Sequence, residues 1–515
     1  MAETGARKWI ITITVILAAL LELIDTTIVN VSLPDIMGNL GATLDEVGWV
    51  VTGYTVANVI VLPMSGWLGN KFGRKNYFLF SIIAFVVTSF FCGHAHTLQE
   101  LIIFRILQGF AGGGLLSPAQ AILLETWPRE EMGMATALFG LGAVFGPTVG
   151  PTIGGYITNH LSWPWIFYVN IPVGAIAVFL VLTFINPSPK SSKGEKIDYW
   201  GILFLLVAVG SLQLFLERGQ TEDWFHSTLI CVLGVSAAVF LLAFIWRELN
   251  VEYPIVNFKI MRHRSFTIGM FTSFMLGFAM YVSVFVFPVF CQSLLGFTAL
   301  QTGEILFPGG IATILMMPFI GTMLKKGVPA QFLSTGGMLL FFVFSYLMAN
   351  SNLQSGTGNF FWPLIIRGIG MSLLFVPLTT LAVQDLHGKE MGQGTGLNNM
   401  MRQLGGSFGI AISTVMLTHR IALHRNSLVN YISNYHEASV TRQSMIINQF
   451  MAKGYSFGQA KQMAYAALDG TMMKQVLLLS YNDIYMFVGI FMLCCIPFLY
   501  LQKFKKNVAL PADAH

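Results

Sequence analysis

Fourteen separate stretches of about twenty apolar residues restrict this chain to one kind of structure. They lie near residues 9–31, 48–68, 77–94, 98–118, 135–156, 166–185, 199–216, 227–246, 266–290, 303–323, 331–349, 361–384, 394–417 and 481–502. Each is long enough to cross the hydrocarbon of a bilayer as a helix. The pattern predicts an all-α polytopic membrane protein with fourteen transmembrane helices. Charged residues make up only 10% of the chain, against roughly 25% in soluble domains. The first span follows Arg7 and Lys8. It is too long for a signal-peptide core and lacks a small-residue cleavage site, so retention in the mature chain is expected.

Cations set the expected orientation. With the N-terminus inside, nineteen of the 29 Lys and Arg fall in cytoplasmic segments and one, Arg218, in the short outer loops. Six more occupy the long loop 419–480, and Arg105, Arg367 and Arg402 lie within spans. This bias places both termini in the cytoplasm. The net charge of +5 then describes an inner rim facing anionic lipid, not a nucleic-acid surface. Cys92, Cys231, Cys291, Cys494 and Cys495 fall in or beside spans with no framework spacing. They read as packing residues. With no Walker-type phosphate loop and no Cys/His cluster, neither ATP hydrolysis nor a metal is expected. An ion gradient must drive any uphill transport.

A weak internal repeat divides the spans six, two and six. Phe104-Arg105-Ile106-Leu107-Gln108-Gly109 in span four echoes Ile366-Arg367-Gly368-Ile369-Gly370 in span twelve. Gly66 to Gly73 after span two echoes Gly321 to Gly327 after span ten. The expected organisation is an N-terminal six-helix bundle over 1–186 and a cytoplasmic linker over 187–197. An inserted helix pair over 198–247, a cytoplasmic loop over 248–265, and a C-terminal six-helix bundle over 266–515 follow. Two bundles with substrate between them near the midplane are a transporter design.

Within span five, Gly142, Gly146, Gly150 and Gly154 recur every four residues, with Gly155, Pro147 and Pro151 among them. Such a face lets another backbone approach closely in lipid. The prolines remove backbone donors, which a membrane tolerates only where neighbouring helices compensate. The run resembles the fifth-helix signature of proton-driven exporters of the major facilitator superfamily. Leu23 to Pro34, which contains Asp25 and Asn30, resembles the first-helix motif of its fourteen-span drug:proton antiporter family. Gly66, Gly73, Arg74 and Lys75 are similar to the superfamily's loop motif, and Arg105 with Gln108 to its fourth-helix motif. Trp165 to Pro172, Leu216 to Gly219 with Asp223 to Phe225, and Asn398 to Gly406 narrow the resemblance to the EmrB/QacA type. One departure stands out: Asn70 occupies a position usually held by aspartate, so a conformational lock that needs a negative charge there is in doubt. The resemblance implies the major facilitator fold and proton-coupled export of lipophilic or amphipathic compounds across the inner membrane. It implies no cofactor beyond the proton gradient, and no enzymatic activity.

Ionisable residues inside spans are costly and mark function by default. Asp25 and Arg105 fall at similar depths in spans one and four; spacing does not decide whether they touch. A carboxylate poised between burial, which favours its neutral form, and a nearby arginine, which favours its charge, suits proton loading and release. Glu22, one turn before Asp25, shares its face and suits either a proton or a cationic substrate. Arg367, Asn398 and Arg402 are candidates for the same pathway, with capping or interhelical bonding as the alternative. Glu217, Glu304 and Asp483 sit near outer ends of spans, where reaching water is expected; Glu304 is also a candidate outer gate.

Met and Phe are abundant, 26 and 43 residues, and provide adaptable apolar surface. Met275, Phe278 and Tyr281 recur at helical spacing in span nine and are candidates to line a substrate path. The outer loop 419–480 carries apolar residues at spacings of three and four, at 446, 447, 450 and 451 and again at 460, 463, 464, 467 and 468. That pattern predicts two amphipathic helices broken at Gly454 to Gly458. The stripe needs a cover, either the transporter's own outer surface or another chain. The resemblance implies a periplasmic adaptor leading to an outer-membrane channel. Three functions compete: a multidrug proton antiporter, an exporter of one endogenous amphiphile such as a fatty acid or siderophore, and a non-transporting membrane sensor or assembly component.

Overall fold

The computed structural model describes residues 5–187, 197–432 and 436–501. Among them, fourteen helices are long and apolar enough to cross a membrane, and no strand is present. The first set comprises α1 (Ala6–Leu40), α2 (Leu44–Phe72), α3 (Arg74–Gly93), α4 (Leu98–Gly112) with α5 (Leu116–Thr126), α6 (Met132–His160), and α7 (Trp165–Tyr168) with α8 (Asn170–Phe184). Between the two sets in chain order come α9 (Tyr199–Arg218) and α10 (Thr228–Asn250), the pair expected to be an insertion. The second set comprises α11 (Arg264–Val289), α12 (Ala299–Lys325), α13 (Ala330–Ala349), α14 (Phe361–Val383), α15 (Lys389–Val429), α16 (Glu437–Ala452), and α17 (Phe457–Cys494) with α18 (Ile496–Tyr500). Residues 188–196 of the expected linker lie outside the described residues, as do the cations 190, 193, 196, 503, 505 and 506 counted for orientation.

Local chemistry starts these helices. Thr43 with Glu46, Thr97 with Glu100, Thr298 with Gln301 and Ser456 with Gln459 form capping boxes, which satisfy orphan N–H groups at helix starts. Membrane helices gain little from hydrophobic burial against one another, so small residues and buried polar bonds fix their packing. Helix α6 shows this on two sides. A Cβ at Gly146 would lie 2.7 Å from Leu23 Cβ, one at Gly154 2.8 Å from Ile28 Cγ1, and one at Gly150 would overlap the Thr27 hydroxyl. The glycine face therefore carries α1. On its other side α6 packs against α12 of the second set, with Gly140 against Met317 and Phe375.

The two sets meet along α6 with α12 and α2 with α15, and α9 packs on both α2 and α15. At the face where α1 begins, called here the terminal face, polar contacts close the seam. Glu131 accepts from Lys8 at 3.1 Å and from Lys325 at 2.8 Å, joining the sets. Gly66 lies against the backbone of Gly392 and Gln393, with no room for a side chain. Arg74 pairs with Glu125 and donates to Gly388 O at 2.7 Å. Lys75 donates to Leu182 O at 2.9 Å, and Gly73 takes a φ of 85°, a conformation suited to glycine.

At the far face, two membrane helices run well past their apolar segments. Helix α15 has 41 residues and α17 has 38, about 60 Å and 57 Å at helical rise, roughly twice the hydrocarbon thickness. The expected loop helices exist, but the second of them is continuous with the last span. Ile447 packs against Ala460 and Ala464, with Ile446 and Phe450 beside them. The hairpin thus covers the part of the amphipathic stripe at Ile447, Ala460 and Ala464 by itself, while Met451 stays exposed.

Candidate functional site

Asp25 sits near the middle of the 35-residue α1 and touches Arg105. Its Oδ2 accepts from Arg105 Nη1 at 2.5 Å, and its Oδ1 accepts from Gln108 Nε2 at 3.2 Å and Asn170 Nδ2 at 3.1 Å. Arg105 and Gln108 lie three residues apart on α4 and so share a face. Arg105 also donates through Nη1 to Gln108 Oε1 at 2.7 Å and through Nε to Val50 O at 3.2 Å. Its guanidinium lies 4.1 Å from the centroid of the Tyr54 ring and 5.7 Å from that of Phe167. Asn170 is held by Ser89 at 3.0 Å, and Ser89 donates to Phe167 O at 2.9 Å. Asp25 and Arg105 are 0% and 1% exposed. The ion pair is sealed inside the first set and fully hydrogen-bonded on the acid.

Glu22 lies one turn earlier on α1 but faces the seam. Its Oε1 accepts from Asn58 Nδ2 at 2.8 Å; its Oε2 is buried with no hydrogen-bond partner among the described residues. Across the seam, Arg402 is near enough for its charge to act on Glu22. Arg402 Nη2 donates to Asn399 Oδ1 at 2.6 Å, and its guanidinium stands 5.2 Å from the Phe375 ring centroid. Asn399 in turn donates to Gln120 Oε1 at 3.1 Å and to Ser117 Oγ at 3.3 Å. Thr395 donates to Ser117 O at 3.3 Å. These bonds tie α15 of the second set to α5 of the first. Chemically, α1 presents two acids one turn apart, one neutralised within its own set and one facing the seam between sets.

The remaining candidate residues scatter. Asn398 accepts from Ser273 at 2.5 Å, and Tyr281 donates to Gln403 at 2.7 Å. Met275 and Phe278 are buried, with the Phe278 and Phe491 rings tilted against each other at 4.5 Å between centroids inside the second set. Arg367 donates to Ser283 O at 3.4 Å, with the Phe344 ring 6.0 Å away. Asn30 is exposed and donates to Thr26 O at 3.3 Å, while Glu304 is exposed at the start of α12. Glu217 is half-buried and accepts from Gln213 at 2.7 Å. Asp483 accepts from His424 at 2.8 Å and lies 3.4 Å from Arg420 Nε. These two acids are bonded at the far face instead of only meeting water. Asn58, Ser117, Gln120 and Glu125 were not singled out in the sequence. The available signal was polar residues inside or ending an apolar run, which does not tell a bonded side chain from one that meets water.

Comparison with known proteins gives a consistent result. The family model described as Major Facilitator Superfamily matches residues 15–410. The chain is similar to the Fatty acid resistance protein FarB of Neisseria gonorrhoeae, 32% identical over 97% of this chain and 96% of that one. It is also similar to the Multidrug export protein EmrB of Escherichia coli strain K12, 33% identical over 95% and 94%. Among solved structures, the human organic anion transporter MFSD10 superposes with a TM-score of 0.58 at 12% identity, covering 95% of this chain and 100% of that one. A bacterial homologue of the lysosomal transporter Spinster gives 0.53 at 13% identity, over 97% of each. These two likenesses show the fold. The chain is a multi-pass membrane transporter, not an enzyme, and it belongs to the Major Facilitator Superfamily.

Proposed function

We propose that the chain is a proton-driven antiporter that exports lipophilic and amphipathic compounds by alternating access across the inner membrane. The observation that carries this reading is the buried Asp25–Arg105 pair. Arginine stays charged in proteins. Protonating Asp25 therefore leaves an uncompensated buried cation, a loss of about 3–5 kcal/mol. That cost couples the arrival of a proton to rearrangement of α1 against α4. Because Glu22 lies on the same rigid helix, the movement reaches the seam, and the glycine face of α6 gives α1 a surface to slide on.

The cation-rich terminal face is assigned to the cytoplasm. Its seam contacts, through Glu131, Arg74 and Gly66, would have to part for substrate to enter from that side. No cofactor is invoked beyond the proton gradient. The names of the two curated relatives support export of toxic lipophiles. A second reading is export of one endogenous amphiphile; the fatty acid resistance relative supports the fatty-acid class of compound and not its origin. We further infer that the α15–α17 tower meets a periplasmic adaptor, with Tyr431, Met445, Tyr455 and Phe457 exposed along it.

The test is transport in proteoliposomes driven by an imposed pH gradient, against lipophilic cations, anions and neutral compounds. Wild type is expected to accumulate substrate and dissipate the gradient. Asp25→Asn keeps the shape but cannot carry the proton, so it should retain substrate binding and lose gradient-driven transport. Normal pH-driven transport by this variant would remove Asp25 from the coupling mechanism.

A further inference from the structure

The two helix sets treat their buried arginines differently. Arg105 of the first set has a carboxylate partner, Asp25. Arg367 and Arg402 of the second set have no carboxylate bonded to them among the described residues, and Glu22 acts on Arg402 only from a distance. They meet the backbone oxygen of Ser283, the amide oxygen of Asn399 and two phenyl rings. A buried guanidinium without a counter-charge is costly, and the cost falls when an anion arrives. Arg367 lies within its own set, whereas Arg402 lies on the seam.

Several facts make the Arg402 position a built site. Arg402 is 5% exposed and Gln120 is 0% exposed, and both retain a donor with no partner, Arg402 Nη1 and Gln120 Nε2. Asn399 holds the two together, accepting from Arg402 at 2.6 Å and donating to Gln120 at 3.1 Å. One donor comes from each helix set. A guanidinium and an amide N–H linked through one Asn399 side chain suit an anion with two or three equivalent oxygens, such as a carboxylate or sulfonate. The Phe375 ring beside the guanidinium offers apolar surface next to the head group.

We propose that Arg402 and Gln120 form the head-group site for a monoanionic amphiphile, bridging the two sets. This deepens, and rests on, the reading of the chain as an exporter. Glu22 sits across the seam with one oxygen unpartnered, so whenever it is ionised its charge opposes anion binding. The site therefore has a favourable and an unfavourable charge, and removing each should act in opposite directions.

Two fluorescent probes with one aromatic body test the proposal on purified full-length protein: anilinonaphthalene sulfonate, permanently anionic, and neutral N-phenylnaphthylamine. Arg402→Gln should weaken the anion about tenfold or more, the loss of one charged hydrogen bond, and leave the neutral probe unchanged. Gln120→Leu should weaken the anion selectively but less. At the alkaline end of a pH series, where wild-type Glu22 is ionised, Glu22→Gln should tighten the anion and leave the neutral probe unchanged. Unchanged neutral binding also shows that each variant is folded. Equal loss of both probes in Arg402→Gln, or no loss of either, overturns the proposal. Because binding is measured without a gradient, the outcome is separate from the antiport reading. A wild-type protein that binds the anion but moves no compound against a pH gradient would overturn that reading alone.

Discussion

Arg105 makes contacts that no other side chain reproduces. It bonds Asp25, Gln108 and the Val50 carbonyl while its guanidinium stands 4.1 Å from the Tyr54 ring centroid. A lysine supplies the charge but neither the fork nor the flat face. Arg105→Lys is therefore expected to keep at most part of the pH-driven transport. Arg105→Ala should lose all of it and lower the thermal midpoint as well, since it strands a buried carboxylate at a cost of about 3–5 kcal/mol. Transport assays and a melting curve on purified protein check both, and full activity in the lysine variant would leave only a point charge to explain. Asp25, Arg105 and Glu22 were legible because ionised residues inside apolar runs stand out. Asn58 and Gln120 were not: neutral amides cost less to bury and serve many ends, so only their partners reveal them.

Individual helices show where apolarity fails as a guide. The spans were bounded by hydropathy, so the thirteenth ended at 417 and the fourteenth began at 481. The helices themselves extend to Val429 and start at Phe457. Helical hydrogen bonding does not stop where lipid stops, and a Ser456 capping box starts α17 far out in water. Spacing gave the glycine face of α6 correctly as a close-contact surface, but which helix it carries is a tertiary matter. Since that helix is α1, Gly150→Leu should displace the segment bearing Thr27 and Asp25. Transport should fall severely while membrane insertion, read by expression and protease protection, stays near wild type. Wild-type transport would show that α1 tolerates the displacement.

At the scale of the whole molecule, the tower links a membrane transporter to whatever lies beyond the far face. Its two outer helices already cover each other's apolar stripe through Ile447, Ala460 and Ala464, so an adaptor is not required to stabilise the hairpin. Deleting 440–470 should leave transport into proteoliposomes largely intact. Adaptor co-purification and whole-cell resistance should be lost. Loss of transport in vesicles would place the tower in the transport cycle and overturn the docking assignment.

Sequence by itself determined the class of fold, the number of crossings and the helix faces. These follow from the energetics of placing apolar and charged groups in lipid, which depend on residue type and spacing alone. Tertiary structure decided which buried charges meet. Asp25 and Glu22 stand one turn apart with nearly the same local sequence signal. The packing of α4 and α8 encloses Asp25 with Arg105 and Asn170, whereas α2 gives Glu22 one amide and leaves its second oxygen buried without a partner among the described residues. Pairing depends on distances between helices far apart in the chain, and no local pattern carries that information.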